Sequence, residues 1–236
     1  FSSRRRHTRY PLVTGVQTCA LPICTTLIEP SLMGFHKRYP YVTLNIMEAI
    51  NFVAENSLED NSIDLTIYNV HKFPENMDYQ ILREEEIVLV LNKNHPLCEK
   101  AQPKEGFRHP WLDLKMLEKG NFILLYPDQN TGGIAQSLFK EYSMEPTVLL
   151  HTRNSAMSIR LAIQGLGAAF APESYFREES RFFPEGCCFS IGQKPVLTTT
   201  IVAYQKKKYL SQHARDYVEI LKEYATSLSV SKGNDI

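Results

Sequence analysis

Long apolar runs and the signatures of common enzymes are both missing from this sequence of 236 residues. No stretch of about 18 consecutive apolar residues occurs, so we expect no membrane-spanning helix and no membrane partner. The sequence also has no G-x-S-x-G elbow, no HExxH pair and no P-loop, and the Gly165-Leu166-Gly167 stretch is too short for a dinucleotide-binding fingerprint. We therefore predict neither catalytic residues nor a cofactor.

Cysteine is scarce, and no metal-ligand spacing accompanies it. Five cysteines occur; two lie in the first 24 residues, and the others are Cys98, Cys187 and Cys188. An odd number of cysteines without a signal peptide favours free thiols in a reducing cytoplasm. The Cys187-Cys188 pair is compatible with a redox switch or with half of a metal site, but no cysteine or histidine at ligand spacing supports either. A buried pair of small apolar residues in a strand is the favoured interpretation.

The first 24 residues lack acidic side chains and regular periodicity. They contain four arginines and no Asp or Glu, and their longest apolar run stops at Pro22, well short of a signal peptide's apolar region. The stretch VTGVQTCALPI at 13–23 looks like the conceptual translation of a common short-read sequencing adapter, over eleven consecutive residues. We therefore interpret residues 1–24 as an artefactual, non-native prefix that does not fold with the domain. A disordered basic arm that contacts DNA is the alternative.

Excluding this prefix changes the charge balance. The whole chain has 26 basic and 26 acidic residues; without the four arginines 22 basic residues remain, and the formal net charge falls to about −4. A nucleic-acid-binding surface needs clustered positive charge. The rest of the chain is therefore not expected to bind DNA by itself.

Strand-like and helical patterns alternate beyond residue 24. The pattern of alternating strands and helices predicts mostly parallel sheets covered by helices, an α/β class. The predicted strands lie at 42–47, 63–68, 86–91, 122–125, 147–150, 168–172 and 198–204, and the predicted helices at 27–36, 51–60, 131–142, 155–164 and 211–227.

Four motifs, in this order, resemble the effector domain of LysR-type transcriptional regulators. They are FHKRYPYV at 35–42 followed by SIDLTI at 62–67, EEIVLV at 85–90 with HPL at 95–97, LAIQGLGAAFAPE at 161–173, and AYQK at 203–206 with YLS at 209–211. Each motif alone is weak, but their order along nearly the whole chain makes the resemblance specific.

The resemblance implies the fold of the type 2 periplasmic binding proteins. In that fold the chain crosses twice between two α/β subdomains, and a ligand cleft lies between them. We expect subdomain I at 25–88 plus 195–236 and subdomain II at 89–194. The family's first strand should precede Thr25, where the prefix stands instead. Because a vacant strand position exposes unpaired N–H and C=O groups, residues 19–23 could occupy it.

The resemblance also implies the partners. We expect a small-molecule effector and a homodimer or homotetramer. DNA would be bound only through an N-terminal winged helix-turn-helix, which this sequence lacks.

Polar residues stand where predicted strands end and helices begin. Ligands of open α/β sheets lie at the carboxyl ends of strands, where helix N-termini present free N–H groups. The candidate effector-binding residues are Thr25, Thr26, Asn51, Tyr68, Asn69, Thr131, Gly132, Asn154 and Ser155.

Several of these residues are equally suited to a structural role. Most are short polar residues of the kind that cap helices, a role worth about 1 kcal/mol, and we expect Ser155 to cap its helix. The resemblance implies effector contacts at Asn51, Thr131 and Ser155. Their hydroxyl and amide groups, with the helix-start N–H groups, favour an anionic effector with a carboxylate or a similar acceptor.

These observations predict an effector-sensing domain of a LysR-family bacterial transcription regulator, and not an enzyme. One rival is a transport solute-binding protein of the same fold, which the missing signal peptide disfavours. Another is an enzyme such as a deaminase or dehydratase on a similar fold, which lacks a catalytic constellation here.

Overall fold

The computed structural model describes residues 12–18, 23–48, 58, 62–206 and 209–230. The strands are β1 (Leu12–Thr18), β2 (Val42–Glu48), β3 (Leu65–Val70), β4 (Met77–Asn92), β5 (Asn121–Leu125), β6 (Thr147–Thr152), β7 (Ala169–Pro172), β8 (Gly186–Phe189) and β9 (Leu197–Gln205). The α-helices are α1 (Glu29–Arg38), α2 (Asn130–Glu141), α3 (Ser155–Ile163), α4 (Glu173–Ser180) and α5 (Gln212–Val230). A π-helical turn at Cys24–Ile28 leads into α1, and 3₁₀ turns lie at Pro96–Lys100 and Leu114–Leu117.

Strand β4 connects two α/β subdomains. Its first part pairs antiparallel with β9 up to Glu86, which lies opposite Leu197. From Ile87, which lies opposite Pro172, it pairs with β7 and then with β8. Subdomain I therefore contains β1, β2, β3 and β9, and subdomain II contains β5 to β8. The residue limits drawn from the sequence for the two subdomains stay a prediction.

Subdomain I is built on the strand order β2-β1-β3-β9-β4. Strand β1 is parallel to both β2 and β3, whereas β9 is antiparallel to β3 and β4. Every residue of β3 is buried, including the polar side chains of Thr66 and Asn69.

In subdomain II, β5 lies between β6 and β7. Strands β5 and β6 are parallel. On the other side, the Ile123 amide donates to the Ala168 carbonyl over 2.8 Å, and the Ala168 amide donates to the Asn121 carbonyl over 2.8 Å. Helix α2 follows β5 and helix α3 follows β6, so both helices begin at the same edge of this sheet.

The helices cover the sheets with apolar faces of helical period. On α5, Ala214, Tyr217, Val218 and Leu221 are fully buried, at the spacing that the sequence predicted for this helix. They share one core with Phe35 of α1 and with residues of both subdomains. None of the helices in the described part of the chain is long and apolar enough to span a membrane.

The main difference from the sequence prediction is that part of the prefix pairs with the sheet of subdomain I. Strand β1 pairs along its whole length with β2, from Leu12 opposite Val42 to Thr18 opposite Glu48, and it also pairs with β3. Ile23 is fully buried in the core. The expectation that the prefix takes no part in the fold is therefore wrong for these residues. Strand β1 occupies the vacant strand position, and residues 19–22, which were proposed for it together with Ile23, lie outside the described residues. The physical reason is that a position between two parallel strands satisfies backbone groups whatever the side chains are. The adapter origin of the segment stays a prediction.

Other differences concern the lengths of elements. Strand β4 begins at Met77, nine residues before the predicted start, and α4 at Glu173–Ser180 was not predicted. The predicted helix at 51–60 lies outside the described residues except for Leu58, which is buried.

Candidate functional site

The N-termini of α2 and α3 lie side by side. The Gln129 side chain, next to the start of α2, donates to the Arg153 carbonyl over 3.1 Å. The Arg153 guanidinium is 2.9 Å from the Asp128 carboxylate and lies over the Tyr126 ring. These contacts join the turn after β5 to the turn after β6, so the free N–H groups of two helices are presented at one edge of the sheet.

Asn130 connects this edge to subdomain I. Its amide nitrogen donates to the Thr198 hydroxyl of β9 over 2.8 Å. Its amide oxygen lies 3.3 Å from Nδ1 of His71, which directly follows β3. The first residue of α2 therefore contacts the ends of two strands of the other subdomain.

Asn69 forms a second link, at the carboxyl end of β3. Its amide nitrogen donates to the Tyr175 hydroxyl of α4 over 3.0 Å, and its amide oxygen accepts from the Thr200 hydroxyl over 2.6 Å. Asn69 is only 8% exposed, so these bonds satisfy a buried polar side chain. The predicted candidate Asn69 thus lies where β3, β9 and α4 meet.

Buried charge lies beside this meeting point on β4. The Glu85 carboxylate accepts from the Ser174 amide over 2.7 Å and from the Ser174 hydroxyl over 3.1 Å, and Arg83 lies 3.0 Å from it. A buried carboxylate is stable only when its oxygens are paired and hydrogen-bonded. Glu85 therefore fixes the start of α4, and with it Tyr175, against the strand that joins the subdomains.

Thr131 and Gly132 lie in the first turn of α2, and both are buried. Helix α2 has Gln129 at its N-cap position, without a side-chain capping bond. Neither Thr131 nor Gly132 is therefore the cap of α2.

Ser155 does not cap α3, contrary to the prediction. The N-cap residue is Asn154, whose side-chain oxygen accepts from the Met157 amide over 3.0 Å. Ser155 is the first helical residue, and its carbonyl accepts from the Ser158 hydroxyl over 2.9 Å. The predicted helix start at Ser155 is confirmed, but the cap is one residue earlier, because the extended backbone of Asn154, with φ −95° and ψ 103°, makes it the flanking residue.

The remaining predicted residues have other surroundings. Tyr68 is 1% exposed and belongs to an apolar cluster with Val70, Met77 and Ile201. Thr25 and Thr26 lie in the π-helical turn before α1, where Thr26 is half-buried. Asn51 lies outside the described residues, and so does the side chain of Thr25.

Sequence reasoning missed the partners that these residues contact. His71, Tyr175, Thr198 and Thr200 were not among the candidates, although each bonds to Asn69 or Asn130. One signal was available, because a run of threonines at 198–200 is unusual inside an otherwise apolar strand. No local signal marks Tyr175, whose partner is 106 positions away in the sequence.

The cysteines with described side chains are Cys98, Cys187 and Cys188, and their thiols are free. Cys187 and Cys188 are consecutive residues of β8, as predicted, but they are half-buried rather than buried. Within the described ranges, no group of three or more His, Cys, Asp or Glu side chains is placed to hold a metal ion.

Comparison with known proteins identifies the family. The model of the LysR substrate binding domain matches residues 18–226. Over 206 residues the chain is 25% identical to the uncharacterized HTH-type transcriptional regulator YcgK of Bacillus subtilis (strain 168), with 84% of this chain and 62% of YcgK covered. The chain thus spans under two thirds of the length of that relative.

Solved structures with the same fold come from regulators. The regulatory domain of CcmR from Synechocystis PCC6803, in complex with 2-PG, superimposes with a TM-score of 0.76 at 18% identity, over 92% of this chain and 98% of that one. The effector binding domain of QuiR in complex with shikimate has a TM-score of 0.72 at 16% identity, over 91% and 97% of the two chains. These likenesses confirm the predicted type 2 periplasmic-binding-protein fold.

Proposed function

We propose that this chain, which belongs to the family of LysR substrate-binding domains, senses a small anionic molecule between its two subdomains. In a longer regulator, the bound molecule would control DNA binding through a separate N-terminal domain. The observation that carries the proposal is the position of Asn130, which starts α2 and contacts both Thr198 and His71 of the other subdomain.

The chemistry of this edge favours an anion. The first N–H groups of α2 and α3 have no partners within their helices, and both helix dipoles direct partial positive charge to the same edge. Thr131 and Ser155 add hydroxyl groups there. A carboxylate or phosphate oxygen placed at this edge would accept hydrogen bonds from both helix starts.

Ligand binding should also draw the subdomains together. Asn69 and Asn130 already contact residues of the other subdomain, so a ligand that bonds to the helix starts of subdomain II and to subdomain I would stabilise a closed arrangement. Asn51 is retained as a proposed ligand contact on the strength of the family resemblance alone.

Calorimetric titration with shikimate and 2-PG, the ligands named in the two similar structures, tests the proposal. We expect one of them, or a related small carboxylate from a metabolite panel, to bind. Ser155→Ala and Thr131→Val should each weaken that binding by about 0.5–1.5 kcal/mol, and by up to about 3 kcal/mol if the group contacted is charged.

Ser137→Ala is the matched control, because Ser137 lies on the same helix as Thr131 but its hydroxyl bonds to the Gly133 carbonyl. It should leave affinity unchanged. Binding that survives both Ser155→Ala and Thr131→Val without loss would place the ligand elsewhere. A failure of every small anion in the panel to bind would overturn the proposal of an anionic effector.

The family resemblance also leads us to propose a homodimer or homotetramer. Light scattering coupled to size-exclusion chromatography measures this directly. A monomer at concentrations of about 100 μM, well above the dissociation constants of stable homodimers, would contradict it.

The transport alternative gains no support from the comparisons, since the relatives that match are transcriptional regulators.

A further inference from the structure

A thiol, an imidazole and a carboxylate lie next to one another beside strand β8. Sγ of Cys188 lies 3.6 Å from Nδ1 of His109. On the other side of the imidazole, Nε2 lies 3.9 Å from a carboxylate oxygen of Glu173. The three residues come from β8, from the loop before the second 3₁₀ turn and from the start of α4, so only the fold brings them together.

The imidazole is held in this position by its own backbone. The His109 amide donates to the Ser190 hydroxyl over 3.2 Å, and the Ser190 amide donates to the Pro110 carbonyl over 3.0 Å. Trp111 anchors the same loop through a 2.8 Å bond from its indole nitrogen to the Gly192 carbonyl. The loop therefore runs beside the end of β8 and keeps His109 next to Cys188.

The carboxylate is fixed as well. Glu173 is 5% exposed, and its oxygens are bonded to Arg177 and lie 3.5 Å from Arg108. The contact with Cys188 and then that with Glu173 raise the pKa of His109 to about 10, against the opposing effect of burial. The imidazole can therefore accept the thiol proton of Cys188 and keep it at neutral pH.

We propose that Cys188 is a nucleophilic modification site for small carbon electrophiles of the α,β-unsaturated carbonyl class, with His109 as its acid-base partner. A thiolate, and not a thiol, is the nucleophile, and an adjacent imidazole is a common way to generate one. The Glu173 carboxylate, 3.9 Å from Nε2, favours the protonated form of this imidazole.

Addition of the Cys188 thiol to the carbon–carbon double bond needs no further reagent. The thiol proton of Cys188 passes to Nδ1 of His109, and the sulfur forms a bond to the β-carbon of the electrophile. The π electrons of the carbon–carbon double bond move toward the carbonyl to give an enolate. The enolate then takes a proton from the imidazolium, which leaves His109 neutral and the thioether complete.

The neighbouring residue provides an internal comparison. Cys187 points to the opposite face of β8, into the core that contains Leu89 and Leu91, and its thiol lies 3.3 Å from Sγ of Cys98. Burial and the Cys98 contact raise the pKa of Cys187 above its ordinary value. Two adjacent cysteines of one strand therefore have opposite surroundings, and only Cys188 has a base beside it.

The site is connected to the junction between the subdomains. Glu173 begins α4, and the next two residues contact Glu85 and Asn69. A covalent adduct on Cys188 would therefore displace groups that are close to the start of this helix. The proposed reactivity of Cys188 does not depend on the ligand proposed above.

The test is the rate of alkylation of each cysteine by N-ethylmaleimide, followed by peptide mass spectrometry of the intact chain at pH 7. We expect Cys188 to react at least about tenfold faster than Cys98 and Cys187. Equal rates for the three residues would overturn the proposal, and this comparison needs no variant.

The variant His109→Asn tests whether fast alkylation of Cys188 needs a base or only solvent exposure of its sulfur. The Asn amide keeps a polar group beside the sulfur but accepts no proton. We expect Cys188 to react about tenfold more slowly at pH 7 in this variant, with a rate that rises as the pH is raised. His213→Asn is the matched control, because His213 packs against Tyr39 and not against a cysteine. If His109→Asn melts like the unsubstituted protein and its Cys188 reacts equally fast across the pH range, His109 has no such role.

Discussion

Gly132 allows helix α2 to begin directly against the end of strand β5. A β-carbon at this position would lie 2.0 Å from the Tyr126 carbonyl oxygen and 2.8 Å from that of Leu125. Backbone atoms cannot move aside as a flexible side chain can, so the close approach requires a glycine. The start of α2, on which the proposed function depends, can therefore approach β5 this closely only because residue 132 has no side chain.

At the scale of this residue, Gly132→Ala should destabilise the protein by about 1–3 kcal/mol or more, because a new β-carbon overpacks against backbone atoms that cannot move aside. Urea denaturation measures the change in the free energy of unfolding.

Gly34→Ala is the control. Gly34 lies within α1, where a new β-carbon would meet only Tyr224 and Ile220 side-chain atoms at 3.6–3.7 Å. Because alanine favours a helix over glycine by about 1 kcal/mol, this variant should be as stable as the parent or more stable. Equal stability of the two variants would show that α2 does not pack against β5 as described.

At the scale of an element, the start of α3 distinguishes capping from ligand binding. Asn154 accepts the hydrogen bond from the Met157 amide, whereas Ser155 is the first helical residue. The two functions that the sequence assigned to Ser155 therefore belong to neighbouring residues, which makes them separable by mutation.

Asn154→Ala should lower the free energy of unfolding by about 1 kcal/mol through loss of the N-cap, whereas Ser155→Ala should change it by less than about 0.5 kcal/mol. Thermal melts of both variants, beside the calorimetric titrations, give the comparison. If Ser155→Ala destabilised the protein more than Asn154→Ala, the assignment of the cap would be wrong.

At the scale of the whole molecule, strand β1 decides whether the sheet of subdomain I is continuous. It lies between β2 and β3 and pairs with both. Without it, two strands would each lose a neighbour, and their backbone N–H and C=O groups would lose hydrogen bonds.

Deletion of residues 1–22 should therefore cost about 4 kcal/mol or more, or abolish cooperative unfolding, which is the scale of losing a core element. Deletion of residues 1–10 leaves Leu12–Thr18 in place and serves as the control. An unchanged urea midpoint after the longer deletion would instead agree with the first interpretation of the segment, as an addition that takes no part in the fold.

Much of the architecture follows from local patterns in the sequence. The apolar period of α5, with Ala214, Tyr217, Val218 and Leu221 on one face, predicts both the helix and its buried side. The four motifs predicted the family, which the match over 18–226 confirms. These features are readable because hydrophobic period, turn residues and short motifs act within a few residues of one another.

Other features depend on partners that are distant in the sequence. The alternation of residues 12–18 is too weak to predict a strand, and β1 exists because β2 and β3 provide hydrogen bonds on both sides. Asn69 meets Tyr175, and His109 meets Cys188, across separations of 106 and 79 positions. The sequence by itself therefore determined the α/β class and the helix faces, because these depend on local periodicity, and its four motifs identified the family by resemblance. Only the tertiary structure decided which polar groups meet, because those contacts depend on how the chain passes twice between its subdomains.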